Sequence, residues 1–416
     1  MRNERIGLPR RGFLRTAVGT AVGTVAVLPL LSNQGVATAA TADPDQLFAD
    51  GQFAAADRGY ANLLAANPGD AHAWAQRGYI ALLCNRLAAA ERFLGAALRL
   101  DPGDRDSMLR LANCHVRRND FVGAVPLFKQ AGDLIDATSY AAVTGPPYRI
   151  AGAPATRLAF QTLDPLPTVD GAVNGSPMRL LLDTGATFGL SAAAVAAAGI
   201  RPVATVPTLG PAGPVETSVG VVGSLVLGGV EIRNFPVLWN AGSLLDAPAG
   251  ADGVVGTTIF AQFLTTVDYA GRALELRPRQ AAPPHGVGGT APVWLAPDHF
   301  IFSRGRIGGS RTGLVLLDTG GVGLGVVLTA AQAAADDVAP DYADPGSYLG
   351  VTGYPATASE VSLGPVTRRD IDGAVGPFPP PADFGFADLG TLSHEFFLPL
   401  SMTLDFTRMA ITLTAH

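Results

Sequence analysis

Lysine is almost missing from this chain. Lys129 is its one example, and arginine supplies the rest of the basic charge. Acidic residues outnumber basic ones, 35 to 29, for a formal net charge of −6. That balance argues against nucleic acid and anionic membrane surfaces as partners. Cysteine is scarce too. Cys84 and Cys114 fall in successive predicted helices, where packing is a more natural use than a disulfide. The six histidines are scattered, with no His-Glu-x-x-His and no paired cysteines, so neither a metal centre nor a cofactor is expected. No Gly-x-Ser-x-Gly elbow occurs, although a Ser-His-Asp arrangement built from distant residues stays open. Hydrophobic content is 48% and mean hydropathy +0.27, yet no apolar run after residue 42 is long enough to span a bilayer. No transmembrane helix is expected there.

What the chain does have is a repeated triplet. Leu180-Leu181-Leu182 leads into Asp183-Thr184-Gly185, and Leu314-Val315-Leu316-Leu317 leads into Asp318-Thr319-Gly320. One given tripeptide is expected by chance roughly 0.05 times in a chain this long, so a lone match is weak. Two matches, both closing aliphatic runs, are much harder to obtain by accident.

The repeat extends beyond the triplets. Leu227-Gly228 follows Asp183 at almost the same distance as Leu363-Gly364 follows Asp318. Gly256 and Gly390 come next at nearly matched offsets, and then Asp268 and Asp405. The texts around Phe263–Leu276 and Leu400–Leu413 each read as two strands joined by a tight turn. Each triplet is preceded by a turn signal, Asn174-Gly175 or Gly308-Gly309. Each is followed by one short Ala-rich helix, with Ser191 or Thr329 as N-cap. Residues 157–282 and 283–416 therefore read as one mainly-β lobe written twice. A repeat of this kind implies a pseudo-two-fold arrangement with equivalent residues facing across the axis.

Each lobe resembles a retropepsin-like aspartic protease domain. The resemblance rests on the apolar run, Asp-Thr-Gly-Ala-Thr at 183–187, the Leu-Gly near 227, Gly-Val-Val-Gly at 253–256 and Val-Asp-Tyr at 267–269, and it is looser in the second lobe. It implies a single-chain enzyme with Asp183 and Asp318 as the catalytic dyad. Thr184 and Thr319 would bond across the axis, and Gly185 and Gly320 would let the backbone pass close to a catalytic water. Two carboxylates about 3 Å apart share one proton. The ionised one acts as general base on water and the protonated one donates to the scissile carbonyl, with no metal and no covalent intermediate.

Two departures qualify the resemblance. Ala186 and Gly321 follow the triplets where many pepsin-like enzymes carry a hydroxyl, which predicts a less acidic pH optimum. Matching Gly390 to Gly256 places Ala387-Asp388-Leu389 opposite Gly253-Val254-Val255, an awkward carboxylate in an apolar strand. A substrate flap is expected around Gly210 and Gly213, with its counterpart near Gly350–Tyr354. Tyr354 there is either a substrate contact or plain packing.

The front of the chain reads differently. Arg10-Arg11-Gly12-Phe13-Leu14-Arg15 resembles a twin-arginine motif, and it precedes the apolar stretch Thr16–Leu31 and a candidate cleavage site at Ala40-Thr41-Ala42. Residues 1–42 are therefore expected to direct export to the cell envelope or outside, with membrane contact only during export. Residues 43–137 repeat Pro-Gly-Asp at 68–70 and 102–104, the period of a tetratricopeptide repeat. Trp74, Gly78, Ala81, Ala90 and Ala97 also resemble positions of that repeat. The short helical array is either a stabilising cap or a groove for a protein partner. Residues 138–156 are expected to be a linker or a processing site.

The expected architecture is multidomain: α-helical tetratricopeptide-like hairpins, then two mainly-β acid-protease lobes. The expected function is an exported endopeptidase acting on polypeptide. Two rivals stand beside it. One is a non-catalytic exported peptide- or protein-binding protein that keeps the fold. The other is a homodimer in which first lobes pair and the second lobe is structural.

Overall fold

A computed structural model describes residues 42–210, 213–240, 250–283, 288–309, 311–348, 351–378 and 382–415. The expected export signal, up to Thr41, lies outside the described residues.

Helical hairpins come first. Helices Phe53–Ala66, Leu87–Leu100 and Phe121–Ala131 start at one regular interval, and Ala71–Leu83 and Arg105–Arg117 keep the same interval. The Pro-Gly-Asp turns act as starts. Asp70 accepts from the Ala73 amide at 2.9 Å and Asp104 from the Ser107 amide at 3.1 Å, each satisfying a donor the helix leaves open. Small residues set the helix spacing. A Cβ added at Gly78 would sit 2.6 Å from Leu94, and Ala81, Ala90, Ala112 and Ala124 are fully buried at the crossings. Cys84 and Cys114 are both free thiols.

The linker expected over 138–156 is instead structured. Helix Leu134–Ala142 covers its first part, and strand Arg149–Gly152 pairs with Val230–Arg233 of the first lobe. Short helices also number two per lobe among the described residues, not one: Ala192–Ala197 and Thr257–Phe260, then Ala330–Ala335 and His394–Phe397. The N-caps Ser191 and Thr329 are as expected, each accepting from the third amide of its helix. So is the turn at Asn174-Gly175, where both residues have positive φ, as a two-residue hairpin loop requires.

The lobes join through a run of antiparallel strands. Their order is Thr156–Ala159, Ala273–Pro278, Phe263–Asp268, Leu400–Asp405, Ala410–Ala415 and Gly288–Ala296. The sequence of elements is the same read from either side, so a pseudo-two-fold axis runs through its middle. Thr266 faces Thr403 there, and their hydroxyls are 2.7 Å apart. Phe263–Asp268 is buried at every position, as a strand covered on both faces must be.

The triplet-bearing strands are interior too. Ser176–Asp183 turns Leu180 and Leu182 into the main core and Leu181 towards Leu166 and Val254. Gly313–Leu317 turns Val315 and Leu317 into the same main core. Its other face, Leu314 and Leu316, is plated by the helical region in a cluster with Phe48, Phe53, Phe302 and Phe386. The helices and the second lobe thus share one apolar core. Among the described residues no helix is long and apolar enough to cross a membrane.

Candidate active site

Both triplets sit where a buried strand runs into a turn. Each strand is held in place by a parallel neighbour from later in its own lobe. Leu180–Asp183 pairs with Gly253–Gly256, and Leu316-Leu317 pairs with Thr391-Leu392. This pairing corrects the register expected from spacing. Gly253 occupies the place of Gly390, and Gly256 that of Ser393. Asp388 therefore precedes the strand instead of interrupting it. Its carboxylate accepts from the Gly390 amide and from Gln332 Nε2, both at 2.8 Å. The expected carboxylate within an apolar strand does not arise.

The turns interlock across the axis. The Thr184 amide donates to Thr319 Oγ1 at 3.0 Å, and the Thr319 amide donates to Thr184 Oγ1 at 3.1 Å. Thr184 Oγ1 also donates to the Leu317 carbonyl at 2.8 Å. Both threonines are buried, at 0% and 2% exposure, so these bonds are sheltered from competing water.

The carboxylates are oriented locally and confined from the far side. Asp183 Oδ1 accepts from the Gly185 amide at 2.8 Å, and Asp318 Oδ1 from the Gly320 amide at 3.0 Å. Each glycine lies against the opposite carboxylate. A Cβ at Gly185 would overlap Asp318, and one at Gly320 would overlap Asp183. The lack of a side chain is what lets the two acids meet. Burial, then the neighbouring Asp318 charge, push Asp183 well above the usual carboxylate range, against the stabilising Gly185 amide.

Several supporting residues were not found from sequence. Thr257 Oγ1 donates to the Thr184 carbonyl at 2.8 Å. Ser393 Oγ donates to the Asp318 carbonyl at 2.6 Å and accepts from the Gly321 amide at 2.9 Å. Tyr269 is buried near both carboxylates, and burial raises its phenol above the ordinary value. The signal for Thr257 and Ser393 was a hydroxyl close to the later glycine landmark in each lobe. The slip in register concealed it.

The expected flap residues fall in hairpins. Gly210 pairs with Gly213 at the tip of Ala204–Gly210 and Gly213–Val222, with residues 211–212 outside the described residues. The second-lobe counterpart is Gly346–Tyr348 with Val351–Leu363, its tip at 349–350 also outside them. Tyr354 pairs with Val375 in that sheet, and its ring lies edge-on to Tyr342 at 4.8 Å, a packing contact.

A family model described as aspartyl protease matches residues 169–259, within the first lobe, and supports a protease-type function. No curated protein matches the chain.

Proposed function

We propose that this protein is an aspartic endopeptidase whose single dyad, Asp183 and Asp318, is assembled within one chain. The observation that carries this reading is the crossed threonine pair, which brings the two carboxylates together under reciprocal glycines. Two carboxyls held side by side do not both ionise readily, so one keeps its proton and the pair titrates as a unit. The ionised member takes a proton from a water held between them as that water attacks the peptide carbonyl. The protonated member donates to the carbonyl oxygen, giving a gem-diol, and proton return to the departing nitrogen completes cleavage. Thr184, Thr319, Gly185 and Gly320 hold this geometry, and Thr257 and Ser393 fix the two turns.

The pairing of Phe263–Asp268 with Leu400–Asp405 inside one chain supports the single-chain reading over the homodimer. The helical region is read as a brace, since its apolar faces are used on the lobes. Export and the tetratricopeptide assignment of the helices are part of the same reading and rest on sequence resemblance.

The test is cleavage of a diverse unfolded-peptide pool by the chain lacking residues 1–42, with Asp183→Asn and Asp318→Asn beside it. Each substitution should lower the rate at least ~10³-fold, the loss expected for removing a general acid–base pair. A folded wild-type chain inactive at every pH from 3 to 8 would favour the binding-protein reading. Activity surviving in Asp318→Asn would restore the homodimer.

A further inference from the structure

Besides the Gly256/Ser393 difference, the two lobes differ at the next buried position. In the first lobe the helix Thr257–Phe260 opens on Thr257, fully buried and hydrogen-bonded to the Thr184 carbonyl. The equivalent helix in the second lobe opens on His394. His394 is also 0% exposed, yet among the described residues neither of its ring nitrogens has a hydrogen-bond partner. A buried imidazole left without partners calls for an explanation.

Its surroundings supply one. His394 Nε2 faces Asp164 Oδ1 at 3.9 Å, beyond hydrogen-bond range. Glu395 lies beside them, and donor atoms of the three residues all fall within 4.8 Å of one another. Asp164 belongs to the first lobe, whereas His394 and Glu395 belong to the second. The Asp164 side chain is 82% exposed, so the cluster is open at one end and dry at the other. Charge around it is negative on balance. Asp372 adds a third carboxylate, against one guanidinium, Arg368, which donates to the Glu395 and Phe396 carbonyls. Tyr269 closes the inner side, its ring 5.6 Å from the imidazole.

We propose that Asp164, His394 and Glu395 bind one divalent transition-metal ion of the zinc class, joining the two lobes beside the dyad. One imidazole and two carboxylates suit that class, with water completing the shell, whereas calcium favours all-oxygen sites. Donors bound to zinc lie about 3.3 Å apart, so the trio must close by roughly an ångström, a movement within reach of the exposed Asp164 side chain. The ion would pin residues 162–166 to the helix that follows Ser393, whose hydroxyl holds the Asp318 turn. The inference sets aside the expectation, drawn from scattered histidines, that no metal site exists. It does not depend on the peptidase reading.

The test is calorimetric titration of the chelator-stripped chain with zinc chloride, alongside thermal melting. One ion per chain should bind with a Kd at or below about 10 µM and raise the melting temperature. Asp164→Asn and Glu395→Gln should each weaken binding at least ~10-fold. Asp164 lies at the surface, so its variant remains informative if substitution of buried His394 prevents folding. An Asp183→Asn/Asp318→Asn double variant should bind as the parent does. Absent saturable binding, binding unchanged in Asp164→Asn and Glu395→Gln, or binding lost with the dyad would each overturn the proposal.

Discussion

At the scale of single residues, bringing Asp183 against Asp318 costs the fold stability. Asp183 is buried against a second carboxylate, so the folded chain holds its proton more tightly than the unfolded chain does. The sign follows from linkage. The unfolded state binds fewer protons at this site between its ordinary pKa near 3.8 and the raised folded value, so stability falls as pH rises through that window. Asp183→Asn removes the penalty. Its melting temperature should exceed that of the wild type at pH 7 by at least ~2 °C, and the gap should close as the pH approaches 3.5. Activity should follow the singly protonated pair. The Ser393 hydroxyl is engaged by the Asp318 carbonyl and the Gly321 amide, so it does not replace the hydroxyl missing at Ala186 and Gly321. The rate optimum is therefore expected above that of pepsin-like enzymes, and an optimum below about pH 3 would sink the argument.

At the scale of elements, the site is two strand-to-turn units locked by four side chains. Thr184→Val keeps the shape but leaves the Thr319 amide and the Leu317 carbonyl without their buried partner. A loss of about 2–4 kcal/mol is expected in urea unfolding, with Thr184→Ser close to wild type. Gly185→Ala makes a different test, because its methyl would overlap Asp318. Peptide hydrolysis should fall more than ~10²-fold through misplacement of the carboxylate, while Asp318 itself is untouched. The elements also show where reading a sequence stops short. Spacing alone matched Gly390 to Gly256, a slip in register that arises because loop lengths differ slightly between the lobes. Parallel pairing of Thr391-Leu392 with Leu316-Leu317 decided the matter, and that pairing joins segments far apart in the lobe's sequence.

At the scale of the whole molecule, helices and lobes share one apolar core. Phe48 and Phe53 from the first helices pack against Phe386, and Phe53 also meets Trp294 at 5.5 Å. Arg117 carries the joint further along. It is half-buried, desolvation pushes its guanidinium down to about 10, and it donates to the Leu82, Leu295 and Pro297 carbonyls. Asn85 adds a bond to the Phe406 carbonyl at 2.9 Å. Phe53→Ala should cost about 3–5 kcal/mol and lower the melting temperature of the lobes together with the helices. Scanning calorimetry should show one transition for both; a separate helical transition would mean that the array folds alone.

Sequence by itself determined the local and the repeated. Asp-Thr-Gly after an aliphatic run, the N-caps Ser191 and Thr329, the Asn174-Gly175 turn and the regular helical period all depend on neighbours in the chain or on self-similarity along it. Tertiary structure alone decided what meets what. It brought Gly185 under Asp318, seated the helices on Leu314 and Leu316, and placed His394 unpartnered between two acids from different lobes. Those outcomes depend on packing between segments far apart in sequence, where a change of one residue in a loop moves every contact that follows.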